Sequence, residues 1–261
     1  MAKKKKSTAK PVEGKPAIVH TKRRQVEDSD GWTHIVDTPK ATKPAPKIPA
    51  FHGGDFEING VSYINRSLEE MKDDFAHWKK AWEECVAYEA LKQKLEGMEK
   101  VESAVVLGLG SLQSSRREGR RASATQLAAL QTIIEILRGD GDLPVVLQDP
   151  QYTDLDKEFL VSLGYKVVDD PEAFTYIGTG SLVYAIHCYG PVYKQVSDGP
   201  RPAVLIGTNV ENFGRFDASI EGIKESLEGM VKDCQILDFP QIRHDFSDTK
   251  IYWRKAIVSK S

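Results

Sequence analysis

The sequence predicts an α/β fold: a three-layer, Rossmann-like sandwich with a mostly parallel sheet of about six strands. Two apolar runs, at 105–107 and 145–147, contain no alternating polar residues, and such runs are typical of strands covered on both faces. Segments with strand and helix patterns then alternate along the chain, which favours a parallel sheet flanked by helices. A disordered tail and a long amphipathic helix are predicted to precede this core.

Residues 1–50 are predicted to form a disordered, basic N-terminal tail, and residues 51–258 a single Rossmann-like domain. The tail is rich in Lys, Pro and Thr and lacks apolar periodicity, so it cannot offset the entropy of ordering. Its basic clusters, at 3–6 and 22–24, are either solvated charge or a nuclear-import or polyanion-binding segment. The Trp32 segment is costly to leave in water, so it either docks on the domain or anchors a partner protein.

Composition narrows the class of protein. The 261 residues carry a formal net charge of -2, so the folded domain is not expected to bind nucleic acid. The cysteines Cys85, Cys188 and Cys234 lie far apart, which is typical of a reducing compartment. No apolar run is long enough for a membrane span, and the N-terminus does not resemble a signal peptide. We therefore expect a cytoplasmic and nuclear protein with no membrane partner.

A long amphipathic helix is predicted at 67–97. Apolar residues recur there at three- and four-residue steps, and Ser67 with Glu70 forms a capping box. The stripe includes Trp78 and Trp82. We interpret it as core, because an aromatic stripe at helical spacing most often packs inside the fold.

The core elements follow in order. After the first strand, a polar loop at 114–121 carries four arginines, which suit phosphate or carboxylate but are interpreted here as solvated. Ser123 and Gln126 form a capping box, which predicts a helix at 123–137. Thr153 and Asp156 begin a short helix that Gly164 ends. The remaining strands are predicted at 166–168, 181–187, 203–207 and 235–237, and a last helix at 218–231.

Ligands of parallel sheets bind beyond the carboxyl ends of the strands. Asp149 is suited to accept hydrogen bonds from a ligand's hydroxyl pair, or alternatively to cap the turn before the next helix. The glycines in Gly108-Leu109-Gly110 either admit a ligand or simply allow a tight strand exit. The candidate cofactor-binding residues are Gly108, Gly110, Ser111, Asp149, His187 and Asn209.

The Gly108-Leu109-Gly110 turn does not predict a nicotinamide or flavin site. Gln113 replaces the third glycine of the dinucleotide fingerprint, and Asp149 lies farther along than the acidic residue of that motif. A looser pocket for S-adenosylmethionine or another nucleotide, of the kind class I methyltransferases build, remains open.

No catalytic or metal-binding residues are predicted. His187 and Cys188 would form a thiolate–imidazole pair only if the strand ended between them, and ordinary buried residues explain them as well. No metal-ligand spacing, Walker loop or nucleophile elbow is present in the sequence.

Several short motifs together resemble the Sensitivity to Red Light Reduced family, over about 101–209 and more weakly to about 252. The chain departs from the family pattern at Ile186, where Pro commonly precedes His-Cys, and at 207–209, where Gly-Asn is usual. The motifs that carry the resemblance are Gly108-Leu109-Gly110-Ser111, Gln126-Leu127-Ala128, Asp149-Pro150, Leu163-Gly164 and His187-Cys188.

The resemblance implies a eukaryotic regulatory protein. Family members are linked to red-light signalling and circadian timing in plants, and to haem-synthesis regulation and clock-gene expression in animals. A yeast relative is linked to microtubule-related processes, and no settled reaction accompanies the family. For this chain, the resemblance implies a role in clock-gene expression or haem-synthesis regulation through a core that binds a ligand or a partner. Haem is a further candidate ligand. The alternative is a methyltransferase-like or other nucleotide-binding enzyme.

Overall fold

A computed structural model describes residues 54–213 and 222–255, and the backbone of two strands nearer the N-terminus. The chain divides into two compact units, Met1–Phe51 and His52–Ser261. In the first unit, β1 (Arg23–Glu27) pairs antiparallel with β2 (Thr33–Asp37), a hairpin that the sequence did not predict. Lys3–Lys6 and Trp32 lie outside the described residues, and the disorder predicted for the tail stays a prediction.

The second unit is built on a sheet of seven strands, accompanied by a short hairpin and six α-helices among the described residues. The hairpin comprises β3 (Phe56–Ile58) and β4 (Val61–Tyr63). The sheet strands are β5 (Ser103–Leu107), β6 (Val145–Gln148), β7 (Lys166–Val167), β8 (Ser181–Ala185), β9 (Val204–Thr208), β10 (Gln235–Asp238) and β11 (Thr249–Trp253). The helices are α1 (Leu68–Glu83), α2 (Val86–Leu95), α3 (Arg117–Leu137), α4 (Asp154–Ser162), α5 (Gly190–Asp198) and α6 (Ile223–Val231).

The sheet is mostly parallel, which confirms the predicted α/β class. Its strand order is β10-β11-β9-β8-β5-β6-β7, and β11 alone runs antiparallel to its neighbours β9 and β10. From β5 the chain moves outward through β6 and β7, then returns to pair β8 with the other side of β5. A reversal of this kind marks the place where open α/β sheets bind ligands, beside the carboxyl ends of the strands on either side.

Both faces of the sheet are covered, which explains the apolar runs without alternation. On β5, Ala104 and Val106 belong to the core cluster that packs against α1, α2, α3 and α4. Val105 and Leu107 belong to the cluster on the opposite face, with α5 and α6. Because successive side chains of a strand point to opposite faces, a strand covered on both sides needs apolar residues throughout.

The helix predicted at 67–97 is in fact two helices. The capping box at Ser67 and Glu70 is confirmed, but α1 ends at Glu83 and Cys85 adopts an extended conformation before α2. The break allows Trp82 of α1 and Leu91 of α2 both to be fully buried. No strong helix breaker marks this point in the sequence, so tertiary packing overrides local propensity.

The start predicted for the next helix was also wrong. α3 begins at Arg117, and Ser123 is buried inside the helix instead of capping it. The Arg120 Nη1 group donates hydrogen bonds to the carbonyls of Ser114 and Ser115, 2.6 and 3.0 Å away, at the helix start. The interpretation of these arginines as a solvated loop therefore fails for Arg120, and also for Arg121, whose side chain is 15% exposed.

Several elements escaped the sequence prediction. α5 has a proline in its first turn, where its missing N–H costs nothing. The β3–β4 hairpin turns at Asn59-Gly60, both with positive φ, as the tight hairpin turn requires. β11 adds a seventh strand. The helix predicted at 218–231 is described from Ile223, and its predicted start lies outside the described residues.

None of the helices in the described part of the chain could span a membrane.

Candidate functional site

A cavity of about 260 Å³ opens beyond the carboxyl ends of β5, β6 and β8, and is called the rim pocket here. It lies at the reversal of strand order, the position that the fold favours for a ligand. The residues that line the rim pocket are Leu107, Gly108, Gly110, Gln148, Asp149, Pro150, Gln151, Asp170, Phe174, His187, Cys188, Tyr189 and Val192.

Four of the six candidate site residues meet at this pocket, namely Gly108, Gly110, Asp149 and His187. The other two follow neighbouring parts of the sheet edge but do not line it. Ser111 is buried, and its hydroxyl donates a hydrogen bond of 2.6 Å to Asp156. The Asn209 side-chain oxygen accepts from the Glu211 N–H, 3.2 Å away, so it caps a short helical turn.

The Asp149 carboxylate holds the surrounding loops together. Its Oδ2 accepts from the Gly110 N–H at 2.7 Å, and its Oδ1 accepts from the Gln151 N–H at 2.7 Å. Burial raises the pKa of Asp149, and these two backbone donors partly offset that effect. Each oxygen retains a lone pair, so Asp149 is able both to shape its turn and to accept a bond from a ligand hydroxyl.

The two glycines allow close packing of side chains from within the fold. Both have positive φ, +68° at Gly108 and +81° at Gly110. A Cβ atom at Gly108 would lie 2.6 Å from the Cys188 sulfur, and one at Gly110 would lie 2.7 Å from the Ser123 hydroxyl oxygen. This geometry favours a tight strand exit as their role, because the space beside each missing side chain is already occupied.

His187 and Cys188 do not form a nucleophile–base pair. β8 ends at Ala185, and His187 has a φ of 55° beyond it. The His187 Nε2 atom lies 2.9 Å from the Ser247 carbonyl oxygen, whereas the Cys188 thiol donates to the Leu107 carbonyl at 3.2 Å. Burial raises the pKa of Cys188 to about 12, so its thiolate is scarce at neutral pH.

A buried polar network, missed at the sequence level, supports the loop after β5. Asp156 accepts hydrogen bonds from the Leu112 N–H at 2.9 Å and from the Ser111 hydroxyl. The Gln113 side chain accepts from the Thr153 hydroxyl at 2.5 Å. The sequence did indicate Thr153 and Asp156 as a helix cap, and this role is confirmed. The hydrogen bonds from Asp156 to Ser111 and Leu112 join residues far apart in the sequence, so no local sequence pattern indicates them.

The rim pocket has an acidic side and an apolar side. Asp149 and Asp170 both line it, and its described lining residues include no Lys or Arg. One Asp170 oxygen accepts from the Gln148 amide at 2.5 Å. On the apolar side, Phe174 and Val192 contribute to the wall, and Tyr189 is 80% exposed at the mouth. The pocket therefore suits a partly apolar ligand that carries positive charge or hydroxyl groups.

A second cavity, of about 270 Å³, borders the rim pocket and shares His187 and Cys188 with it. Thr208 lines this cavity, and its hydroxyl oxygen is buried without a hydrogen-bond partner among the described residues. Across the part of the chain that the structure describes, no group of three or more His, Cys, Asp or Glu residues is placed to hold a metal ion.

These features define a Rossmann-like α/β protein with a small pocket at the switch point of its sheet. A family model for the SRR1 domain matches residues 71–253, more than half of the chain. The chain therefore belongs to the SRR1 domain family, as its motifs had suggested. No curated protein matches it.

Several solved structures are distantly similar. A methyltransferase from Geobacter sulfurreducens is 14% identical, with 65% of this chain and 76% of that chain covered and a TM-score of 0.36. A putative O-methyltransferase from Klebsiella pneumoniae is also 14% identical. The match covers 71% of this chain and 90% of that chain, with a TM-score of 0.38. An O-methyltransferase from Bacillus cereus in complex with SAH is 13% identical. The match covers 72% of this chain and 91% of that chain, with a TM-score of 0.36.

Proposed function

We propose that this SRR1-family chain is a regulatory protein whose rim pocket binds a small ligand without phosphate groups. The observation that carries the proposal is the pairing of Asp149 and Asp170 in a pocket whose described lining offers no cationic side chain. Carboxylates accept hydrogen bonds from hydroxyl groups and attract cations, whereas they repel phosphate.

This charge distribution ranks the candidate ligands. S-adenosylmethionine carries two cations, a sulfonium and an amino group, against a single carboxylate. These cations and its ribose hydroxyls are compatible with Asp149 or Asp170. The phosphates of other nucleotides and the propionates of haem would instead face two carboxylates. Tyr189 and Phe174 supply aromatic surface for a planar group such as a nucleobase. We therefore place S-adenosylmethionine or a related nucleoside ahead of haem.

Ligand binding is proposed in preference to catalysis, because the pocket's reactive groups are engaged within the protein. The Cys188 thiol donates to a backbone carbonyl, and the raised pKa of Cys188 disfavours a nucleophilic role. The His187 Nε2 atom is within hydrogen-bond distance of the Ser247 carbonyl oxygen. A methyltransferase-like activity is the alternative, and transfer of a radiolabelled methyl group to a protein or small molecule would favour it.

Thermal unfolding tests the ligand proposal. Saturation with S-adenosylmethionine is expected to raise the melting temperature by about 5–10 °C, since a ligand that binds only the native state stabilises it. AMP and haem are expected to give no shift. Tyr189→Ala and Asp170→Asn should reduce the shift, whereas Val161→Ala and Asp169→Asn, at exposed positions outside the pocket lining, should retain it.

The proposal would be contradicted if AMP or haem raised the melting temperature as much as S-adenosylmethionine does, or if none of the three raised it.

Gly110→Val is unsuitable as a variant to fill the rim pocket. Its Cβ would meet Ser123, and its positive φ would strain the backbone.

We further propose that the regulated process is clock-gene expression or haem synthesis, which rests on the family resemblance. Deletion in the source organism, followed by re-expression of the wild type or Asp170→Asn, tests this. Clock transcripts over a light–dark cycle and total haem are the readouts. If the wild type rescues one readout and Asp170→Asn does not, the rim pocket is implicated in that process. Equal rescue by both would place the regulatory function elsewhere on the protein.

A further inference from the structure

A third cavity, lined by arginines, lies between α1 and the first turns of α3 and shares no lining residue with the rim pocket. Its volume is about 140 Å³. On α3, Arg117, Arg120 and Arg121 follow the spacing that places side chains on one helix face. The residues that line this arginine pocket are Asp74, His77, Trp78, Arg117, Arg120 and Arg121.

Two of its arginines lack a charged partner. Arg121 forms an ion pair with Asp245, so its charge is compensated. The Arg117 side chain is exposed and forms no hydrogen bond or ion pair with any described residue. The Arg120 Nη1 group donates only to the neutral carbonyls of Ser114 and Ser115, and its Nε and Nη2 groups have no partner in the described ranges.

The acidic residue in the pocket is already engaged by other groups. The Asp74 carboxylate accepts from Arg66 at 3.1 Å and from the Trp78 indole at 3.1 Å. Burial and the nearby charges of Arg66 and Arg117 lower the pKa of Arg120, and Asp74 offsets this only in part. Two like charges, one of them partly desolvated, are thus held beside each other, and an anion between them would relieve the repulsion.

We propose that the arginine pocket binds one phosphate monoester group, with Arg117 and Arg120 as its charged ligands. A monoester carries nearly two negative charges at neutral pH, which matches two uncompensated guanidinium groups. Arginine forks provide paired donors for phosphate oxygens. The His77 ring, which lies at the same cavity, is a further donor.

A monoester fits better than a nucleic acid strand. The cavity accommodates one phosphate group, and an adjoining cavity is lined by Glu70 and Asp74 beside Arg66 and Arg120. Those carboxylates would repel a continuous polyanion, which needs a basic stripe along its path. The monoester has two possible sources, a phosphorylated side chain of a partner protein or a small phosphate ester.

Phosphorus NMR titrations of the full chain test this proposal. The probes are a blocked Gly-phosphoserine-Gly peptide, glycerol 3-phosphate and the unphosphorylated peptide. At least one monoester should bind saturably, and the unphosphorylated peptide, followed through its proton signals, should not. Binding of the peptide alone assigns a phosphorylated partner, binding of glycerol 3-phosphate alone assigns a small ester, and either outcome supports the site.

Substitutions at the two ends of α3 locate the binding. Arg117→Gln should weaken monoester binding at least tenfold, and Arg117→Lys should weaken it less because charge remains while the fork is lost. Arg138→Gln removes the same charge from an exposed position at the other end of α3 and should leave binding within about twofold. The melting temperature of Arg117→Gln should match that of the wild type, since Arg117 has no partner in the described structure.

Two results would overturn the proposal. One is the absence of saturable binding by either monoester. If a single-stranded oligonucleotide without terminal phosphates then binds, and Arg117→Gln weakens that binding, the surface is assigned to nucleic acid. The other is monoester binding that Arg117→Gln and Arg138→Gln weaken equally.

Discussion

Asp156 shows how one buried side chain organises the loop beside the rim pocket. It is fully buried, and its carboxylate accepts hydrogen bonds from α4's own cap and from the loop after β5. Burial raises the pKa of Asp156, and the donors from Ser111, Thr153 and Leu112 lower it in part. Asp156 therefore links the capping of a helix to the shape of a distant turn.

Replacing Asp156 by Asn should destabilise the domain by about 1–3 kcal/mol, because the amide leaves a buried N–H of the network without an acceptor. Asp154→Asn, on the exposed side of the same helix turn, is the matched control and should change stability by less than about 0.5 kcal/mol. Urea unfolding measures both. Equal stability of the two variants would contradict the structural role assigned to Asp156.

Cys188 should be the slowest cysteine to react in the native protein. Burial raises its pKa from 9.0 to about 12, which lowers the thiolate fraction at pH 8 by about a thousandfold. Alkylation with iodoacetamide, followed by peptide mass spectrometry, should modify Cys85 and Cys234 before Cys188. All three should react alike in denaturant. Fast native labelling of Cys188 would argue for an accessible thiol and reopen a catalytic role.

At the scale of elements, α1 packs through two tryptophans that the sequence did not distinguish. Trp82 is 1% exposed, and its indole N–H donates to the Thr132 hydroxyl of α3 at 3.0 Å. Trp78 is half-buried and lines the arginine pocket. The apolar stripe is therefore core at Trp82 and partly surface at Trp78.

Trp82→Ala should cost about 3–5 kcal/mol, as large-to-small changes in a packed core do. Trp78→Ala should cost clearly less, because part of its ring already contacts solvent. Chemical denaturation of both variants provides the comparison. A smaller loss for Trp82→Ala than for Trp78→Ala would contradict the packing described for α1 and α3.

At the scale of the whole molecule, the tail and the folded domain are expected to act independently. If the basic clusters Lys3–Lys6 and 22–24 direct nuclear entry, replacing both with Ala should move a fluorescent fusion toward the cytoplasm. The melting transition of the domain should not change, because a segment without an apolar face contributes little to the core. An unchanged distribution would leave the clusters as solvated charge.

Local patterns in the sequence determined the α/β class, the strands β5 and β6, and the helix cap at Thr153. A strand covered on both faces and a helix cap are each encoded within a few residues, so local patterns were sufficient for these elements. Gly108 and Asp149 could be placed at one edge of the sheet for the same reason, since parallel strands end together.

Tertiary structure decided the features that depend on distant partners. The break at Cys85, the start of α3 at Arg117 and the insertion of β11 beside β9 are all set by long-range packing. The Cys188 side chain beside Gly108 and the two uncompensated arginines of α3 likewise become visible only in the folded chain. The physical reason is that local preferences differ by fractions of a kcal/mol per residue, whereas burial of a large side chain contributes several times more.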